Sequence, residues 1–101
     1  MTKITIQEQD KAMTAELEGR LDTIASAQAE VDLKPLFDFE GDEINLDCSS
    51  LSYISSSGLR IFLKLFIHTK ATGIKLYIKG MNENLRNVFT MTGFFHLFEF
   101  K

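Results

Sequence analysis

Hydrophobic and polar residues alternate at the start of the chain. Residues 3–7, KITIQ, put Ile4 and Ile6 on one side and polar groups on the other, the pattern of a strand with one buried face. Residues 12–18, AMTAELE, alternate again, less cleanly. The polar segment QEQDK between them reads as a turn, so the first two strands form an antiparallel hairpin. Gly19 falls beyond the second strand. From Asp22 the period changes. DTIASAQAEVDLKPLFDF is rich in alanine and good helix formers, with Asp22 or Thr23 as the N-terminal cap. Ala25, Ala29 and Leu33 recur at helical spacing. Pro35 lacks an N–H and clashes one turn back, so the helix must kink or restart there.

Alternation returns in EINLDC, residues 43–48, with Ile44, Leu46 and Cys48 on one side. Leu51 and Ile54 continue the apolar character less regularly. A strong helix follows from about Ser56 to Thr72. At about 100° per residue, Leu59, Phe62, Leu63 and Phe66 form its core stripe. Arg60, Lys64 and His68 fall together on the far side, as a solvated face or a binding face. Ile61 and Leu65 flank the stripe, covered by the sheet or left for a partner. Gly73 stops the helix. IKLYIKG, residues 74–80, is a strand. Residues 81–93 carry a helix with Leu85, Val88 and Phe89 on one face, Asn82 or Asn84 as cap and Gly93 as stop. HLFEF, residues 96–100, closes the chain as a short strand. The order is ββαβαβαβ. Strands separated by single helices run parallel, with right-handed crossovers. The expected fold is α/β: one domain over residues 1–101, a mixed sheet with an N-terminal antiparallel hairpin, later parallel strands and covering helices. Phenylalanine at nine positions fills the space between the layers.

Composition narrows the function. With 101 residues and 45% hydrophobic content, the chain builds one core without metal or disulfide staples. The net charge is −3 and the lysines and arginines are scattered, so no basic stripe exists for nucleic acid. The longest apolar run is broken by Lys64, His68 and Lys70, which argues against membrane insertion. MTKITIQEQD carries no apolar signal segment. Cys48 stands alone, so a reducing cytoplasm is the expected compartment. Cys48 reads as a small buried hydrophobe. There is no GxGxxG or Walker-type loop. His68 and His96 lack neighbours at metal-ligand spacing. No cofactor, metal or catalytic constellation is indicated.

One segment exceeds what folding requires. YISSSGLRIF, residues 53–62, runs three serines into a glycine where a strand hands over to a helix. A single serine suffices to cap that helix. Three hydroxyls exceed the task, and a helix start tolerates the negative charge of a phosphate. Gly58 directly behind offers a kinase or partner backbone close approach.

The segment INLDCSSLSYISSSGLRIFLKL resembles the STAS domains, the family of bacterial anti-sigma factor antagonists. LEGRLDT is similar to the family's motif after the first hairpin, and NENLRNVFTMTGF to its penultimate helix. The resemblance implies a regulatory binding protein rather than an enzyme, acting in transcription regulation through a phosphorylation switch. The partner would be a serine protein kinase that is also the anti-sigma factor. Unphosphorylated, the domain binds that partner and frees the sigma factor; phosphorylated, it lets go, and a phosphatase resets it. On the Ser-Gly-Leu core the phosphoacceptor position falls on Ser56. Ser55 stands where many members carry Asp. Ser55, Ser57 and Gly58 shape the loop that meets the partner, and Asp22 is implied to lie near the same site. The final helix that many members carry is missing or very short here, which would bare a sheet face or edge. The same resemblance includes docking subunits of transporters and stress-signalling assemblies, in which phosphorylation is not required.

Overall fold

A computed structural model describes residues 2–101. Five strands form one sheet in the order β1-β2-β3-β4-β5. They are β1 Thr2–Gln9, β2 Ala12–Leu21, β3 Glu43–Ile54, β4 Lys75–Lys79 and β5 Glu99–Phe100. β1 and β2 are antiparallel and every later pair is parallel. The helices are α1 Thr23–Asp32, α2 Lys34–Asp38, α3 Ser56–Thr72 and α4 Glu83–Met91, with a 3-10 turn at Phe94–His96. This is the expected α/β order.

Register explains the layering. Ile6, Ala15, Leu46, Ile78 and Phe100 pair in one row across all five strands. Ala15, Leu46 and Ile78 in that row are fully buried. One position along, Gln7, Thr14, Asn45, Tyr77 and Glu99 form the row on the opposite face. Because side chains alternate with period two, the helices cover the apolar face. The polar face is open at Gln7, Glu16 and Glu99.

Several expectations need correction. β2 runs through Gly19 to Leu21, and β3 runs on past Cys48 to Ile54. The reason is two register shifts. Glu16 to Glu18 spans Asp47 to Ser50, and Gly19 to Arg20 spans Leu51 to Tyr53. Each shift gives β3 one extra residue, and each extra residue flips the alternation. Cys48, Leu51 and Ile54 therefore all point into the core although they are three apart. Gly19 takes φ 90° between the shifts, a value open to glycine. The hairpin turn is tighter than QEQDK: Gln9 already pairs with Ala12, and Asp10 takes φ 57°. The break at Pro35, by contrast, is the expected one: the helix from Asp22 stops at Leu33 and restarts with Pro35 in its first turn, where the missing N–H costs nothing. The closing strand shrinks to two residues, and His96 ends a 3-10 turn instead of opening a strand.

On α3 the core stripe is broader than expected. Leu59 and Phe62 are buried, but so are Ile61 and Leu65, while Leu63 and Phe66 are only half-buried. α1 packs against α3, and Ile61 faces the cleft between them. His68 is not simply solvated: its ring lies 5.4 Å from Phe37. The interior joins α3 to α4 and to Phe98, just before β5, through aromatic contacts. Phe62 and Phe89 rings are 6.0 Å apart, Phe89 and Phe98 5.7 Å, and Phe66 and Phe98 5.4 Å. Tilted and edge-on geometries of this kind suit the ring quadrupole. No helix among the described residues is long and apolar enough to cross a membrane.

Candidate functional site

Parallel strands deliver their helices to the same edge of the sheet. β2 and β3 end side by side, with Leu21 opposite Ile54. The Ser55 N–H then donates to the Leu21 carbonyl at 2.8 Å. The next residue in each chain segment starts a helix: Asp22 caps α1 and Ser55 caps α3. Two helix N-termini thus open next to each other, and their partial positive charges add.

Asp22 is half-buried. Its Oδ1 accepts from the Ala25 N–H at 2.8 Å, and its carbonyl accepts from the Ser26 hydroxyl at 2.7 Å. It is the cap, and Thr23 is the first helical residue. A third start, α4, hangs on the same strand. The Asn82 Oδ1 accepts from the Leu85 N–H at 2.8 Å, and its Nδ2 donates to the Leu51 carbonyl at 2.9 Å.

The three serines separate by burial and bonding. Ser55 is buried, and its Oγ accepts from the Gly58 N–H at 3.2 Å. Ser56 is exposed and is the first residue of α3. Ser57 is half-buried and lines a cleft between α1 and α3 with Thr23, Glu30, Arg60 and Lys64. Lys64 and Glu30 bridge that cleft at 2.7 Å. Both are about half exposed, so the pair contributes little to stability. Gly58 turns inward. A Cβ on it would stand 2.8 Å from Ile54 Cγ1 and 2.9 Å from the Leu21 side chain. Its lack of a side chain brings the start of α3 down onto the sheet, and the space it leaves is filled by the core, not open to a visitor.

The sequence reading passed over three residues beside this edge. Arg20 and Tyr53 pair in register one step before Leu21 and Ile54, with the guanidinium 4.3 Å from the ring centroid. Tyr53 keeps 39% of its surface exposed. Ile24, in the first turn of α1, is 88% exposed. Its signal was present: an isoleucine off the Ala25, Ala29, Leu33 stripe has no core to enter. The Arg20–Tyr53 pair was hidden, because the register shifts decide which residues face each other.

Cys48 is fully buried and burial pushes its thiol up to about 12, with the Asp47 charge adding to the effect. It is therefore no thiolate nucleophile. No group of His, Cys, Asp and Glu among the described residues is arranged to hold a metal ion.

Comparison with known proteins converges on one family. The sequence profile of the family described as STAS domain matches residues 3–101. A protein of Bordetella bronchiseptica named as an anti-sigma factor antagonist, BtrV, is 29% identical over 96 residues, covering 95% of this chain and 83% of the relative. The anti-sigma-B factor antagonist of Bacillus subtilis is 23% identical over 90 residues, covering 89% and 82%. Among solved structures, the Bacillus cell fate determinant SpoIIAA in its phosphorylated form superposes with a TM-score of 0.74 at 19% identity, covering 98% of this chain and 91% of that one.

Proposed function

The chain belongs to the STAS domain family, and from that premise we propose that it is an anti-sigma factor antagonist switched by phosphorylation of Ser56. The observation that carries this reading is the division of labour in the serine run. Ser55 does the capping from inside, and Ser56 offers its hydroxyl to solvent at the first position of α3. The helix does not need that hydroxyl, and the site favours the charge a phosphate would bring.

The partner is a serine protein kinase that also serves as the anti-sigma factor, and a phosphatase restores the unmodified form. Asp22, Ser57 and the exposed Ile24 border the contact. A dianionic phosphate on Ser56 would enter a desolvated surface beside the Asp22 carboxylate, and repulsion there releases the partner. The protein acts by binding, in the cytoplasm, without a cofactor of its own.

Incubation with such a kinase and ATP, followed by mass spectrometry, tests the switch. Phosphate is expected on Ser56 and absent from Ser56→Ala, which still binds the partner. Ser56→Asp is expected to bind more weakly. Phosphate on Ser57 alone would move the acceptor by one residue. No phosphate on any of the three serines, with a kinase shown to be active, would favour a docking subunit that works without modification.

A further inference from the structure

β1 forms one edge of the sheet, and its eight residues, Thr2–Gln9, leave one side of their backbone without a strand partner among the described residues. Natural sheets blunt such edges with proline, bulges, charges or short length. β1 has no proline, its pairing to β2 runs without a register shift from Thr2 to Gln9, and Lys3 is its only lysine. The opposite edge, β5, is two residues long. The apolar side of β1 is also unfinished. Ile4 and Ile6 are only half-buried. Beside Ile4 an open groove of about 370 Å³ runs between β1 and α1, lined by Ile24, Ala25 and Ala29 among others.

We propose that this edge is closed by β1 of a second copy of the chain, paired antiparallel with Thr5 opposite Thr5. The sequence of β1 selects that register. In one continuous sheet the even-numbered residues, which face the helices, must meet even-numbered residues of the second copy. Placing Ile4 opposite itself sets Ile6 against Thr2. Placing Ile6 opposite itself sets Ile4 against the Glu8 carboxylate. Only with Thr5 on the axis does each Ile4 meet an Ile6, twice over, extending the rows Ile4–Leu17 and Ile6–Ala15 across the junction. On the polar face Thr5 then meets Thr5, Lys3 meets Gln7, and no like charges stand opposite each other. Apolar and Thr–Thr pairs of this kind are the units that stabilise an antiparallel ladder. This edge is separate from the serine loop, so the inference does not depend on the switch proposed above.

Thr5 allows a test that leaves the monomer fold in place. It lies on the polar face opposite Glu16, so Thr5→Lys gains an opposite-charge neighbour within its own chain. At the junction it places two lysines face to face. Sedimentation velocity and light scattering of the wild type should show a concentration-dependent dimer. Thr5→Lys, checked for folding by circular dichroism, should dissociate at least ~10-fold more readily, because like charges directly opposite destabilise a ladder. A wild type that is monomeric at its highest soluble concentration overturns the proposal, as does a dimer indifferent to Thr5→Lys. A monomeric wild type whose kinase binding is lost on Thr5→Lys would assign the edge to a strand of that partner and would equally overturn self-pairing.

Discussion

A hydroxyl at a helix start can cap the helix, line a cleft or face solvent, and the serine run offers one residue for each task. Ser55 is the cap, so Ser55→Ala is expected to cost about 1 kcal/mol, the usual loss when a capping oxygen is removed. Ser56 has no such task, and Ser56→Ala should stay within about 0.5 kcal/mol of the wild type, as exposed substitutions do. Gly58→Ala reverses its normal sign. Alanine in a helix is ordinarily better than glycine by about 1 kcal/mol. Here the new methyl would press on Ile54 and Leu21, and overpacking of that kind costs roughly 1–3 kcal/mol. Urea denaturation of the three variants separates these roles. A stabilised Gly58→Ala would show that the start of α3 can lift off the sheet. Asp22 needs a paired measurement, because it already caps α1. Asn caps about as well as Asp, so Asp22→Asn should keep its stability while weakening kinase binding. Unchanged binding would confine Asp22 to its structural role.

At the scale of elements, α3 was legible from its period alone. Ser56–Thr72, with Gly73 taking φ 79° behind it, is the expected helix. The depth of its residues was not legible, because periodicity gives a direction and not the number of neighbours. α1 lies against α3, and this second cover adds to the burial of Ile61, which lines the cleft between them; Leu65 is also buried, while Phe66 stays half-buried. Phe62 is the deepest aromatic residue of the helix and touches Phe89 of α4. Phe62→Ala should cost about 3–5 kcal/mol, the range for a fully buried phenylalanine. Phe66→Ala should cost clearly less, although both lie on the same predicted stripe. Equal losses in equilibrium unfolding would contradict the burial order. The strands show the same limit. β3 reads clearly as far as Cys48, where strict alternation stops. Leu51 and Ile54 then enter the core only because β3 gains a residue on β2 twice. Such shifts belong to a pair of strands, and nothing in either strand alone announces them. That is why the serine block was legible as a motif while its neighbours Arg20 and Tyr53 were not.

For the whole molecule, alternation told which residues share a face but not that one face would lack helices. That outcome follows from summing the rows: the face carrying Gln7, Thr14, Asn45, Tyr77 and Glu99 offers a helix little apolar surface beyond the Tyr77 ring. The polar face is instead held by charge near the end of the chain. Lys101 continues the last strand, its N–H donating to the Ile78 carbonyl at 2.9 Å. Its Nζ lies 2.8 Å from Glu43 Oε2 and 3.0 Å from Asn45 Oδ1, over the Tyr77 ring. The Lys101 hydrogen bond, followed by that from Asn45, holds the Glu43 carboxyl below its ordinary value of 4.5. Asp47 on the same face is also lowered: burial raises it, but the hydrogen bonds from Ser49 and the Lys79 charge outweigh that effect. A carboxyl lowered by folding binds protons more readily in the unfolded chain. Its contribution is therefore complete above the unfolded value and is lost as the pH falls through the folded one. Unfolding free energy should thus hold steady near neutrality and decline once the pH drops below about 4.5. Glu43→Gln removes one of the two titrating groups. It should flatten the decline without abolishing it, and added salt should shrink the difference between the two proteins. Parallel pH profiles for wild type and Glu43→Gln would mean that β5 is held to the sheet by its backbone and the Phe98–Phe100 packing, with the lysine contributing nothing.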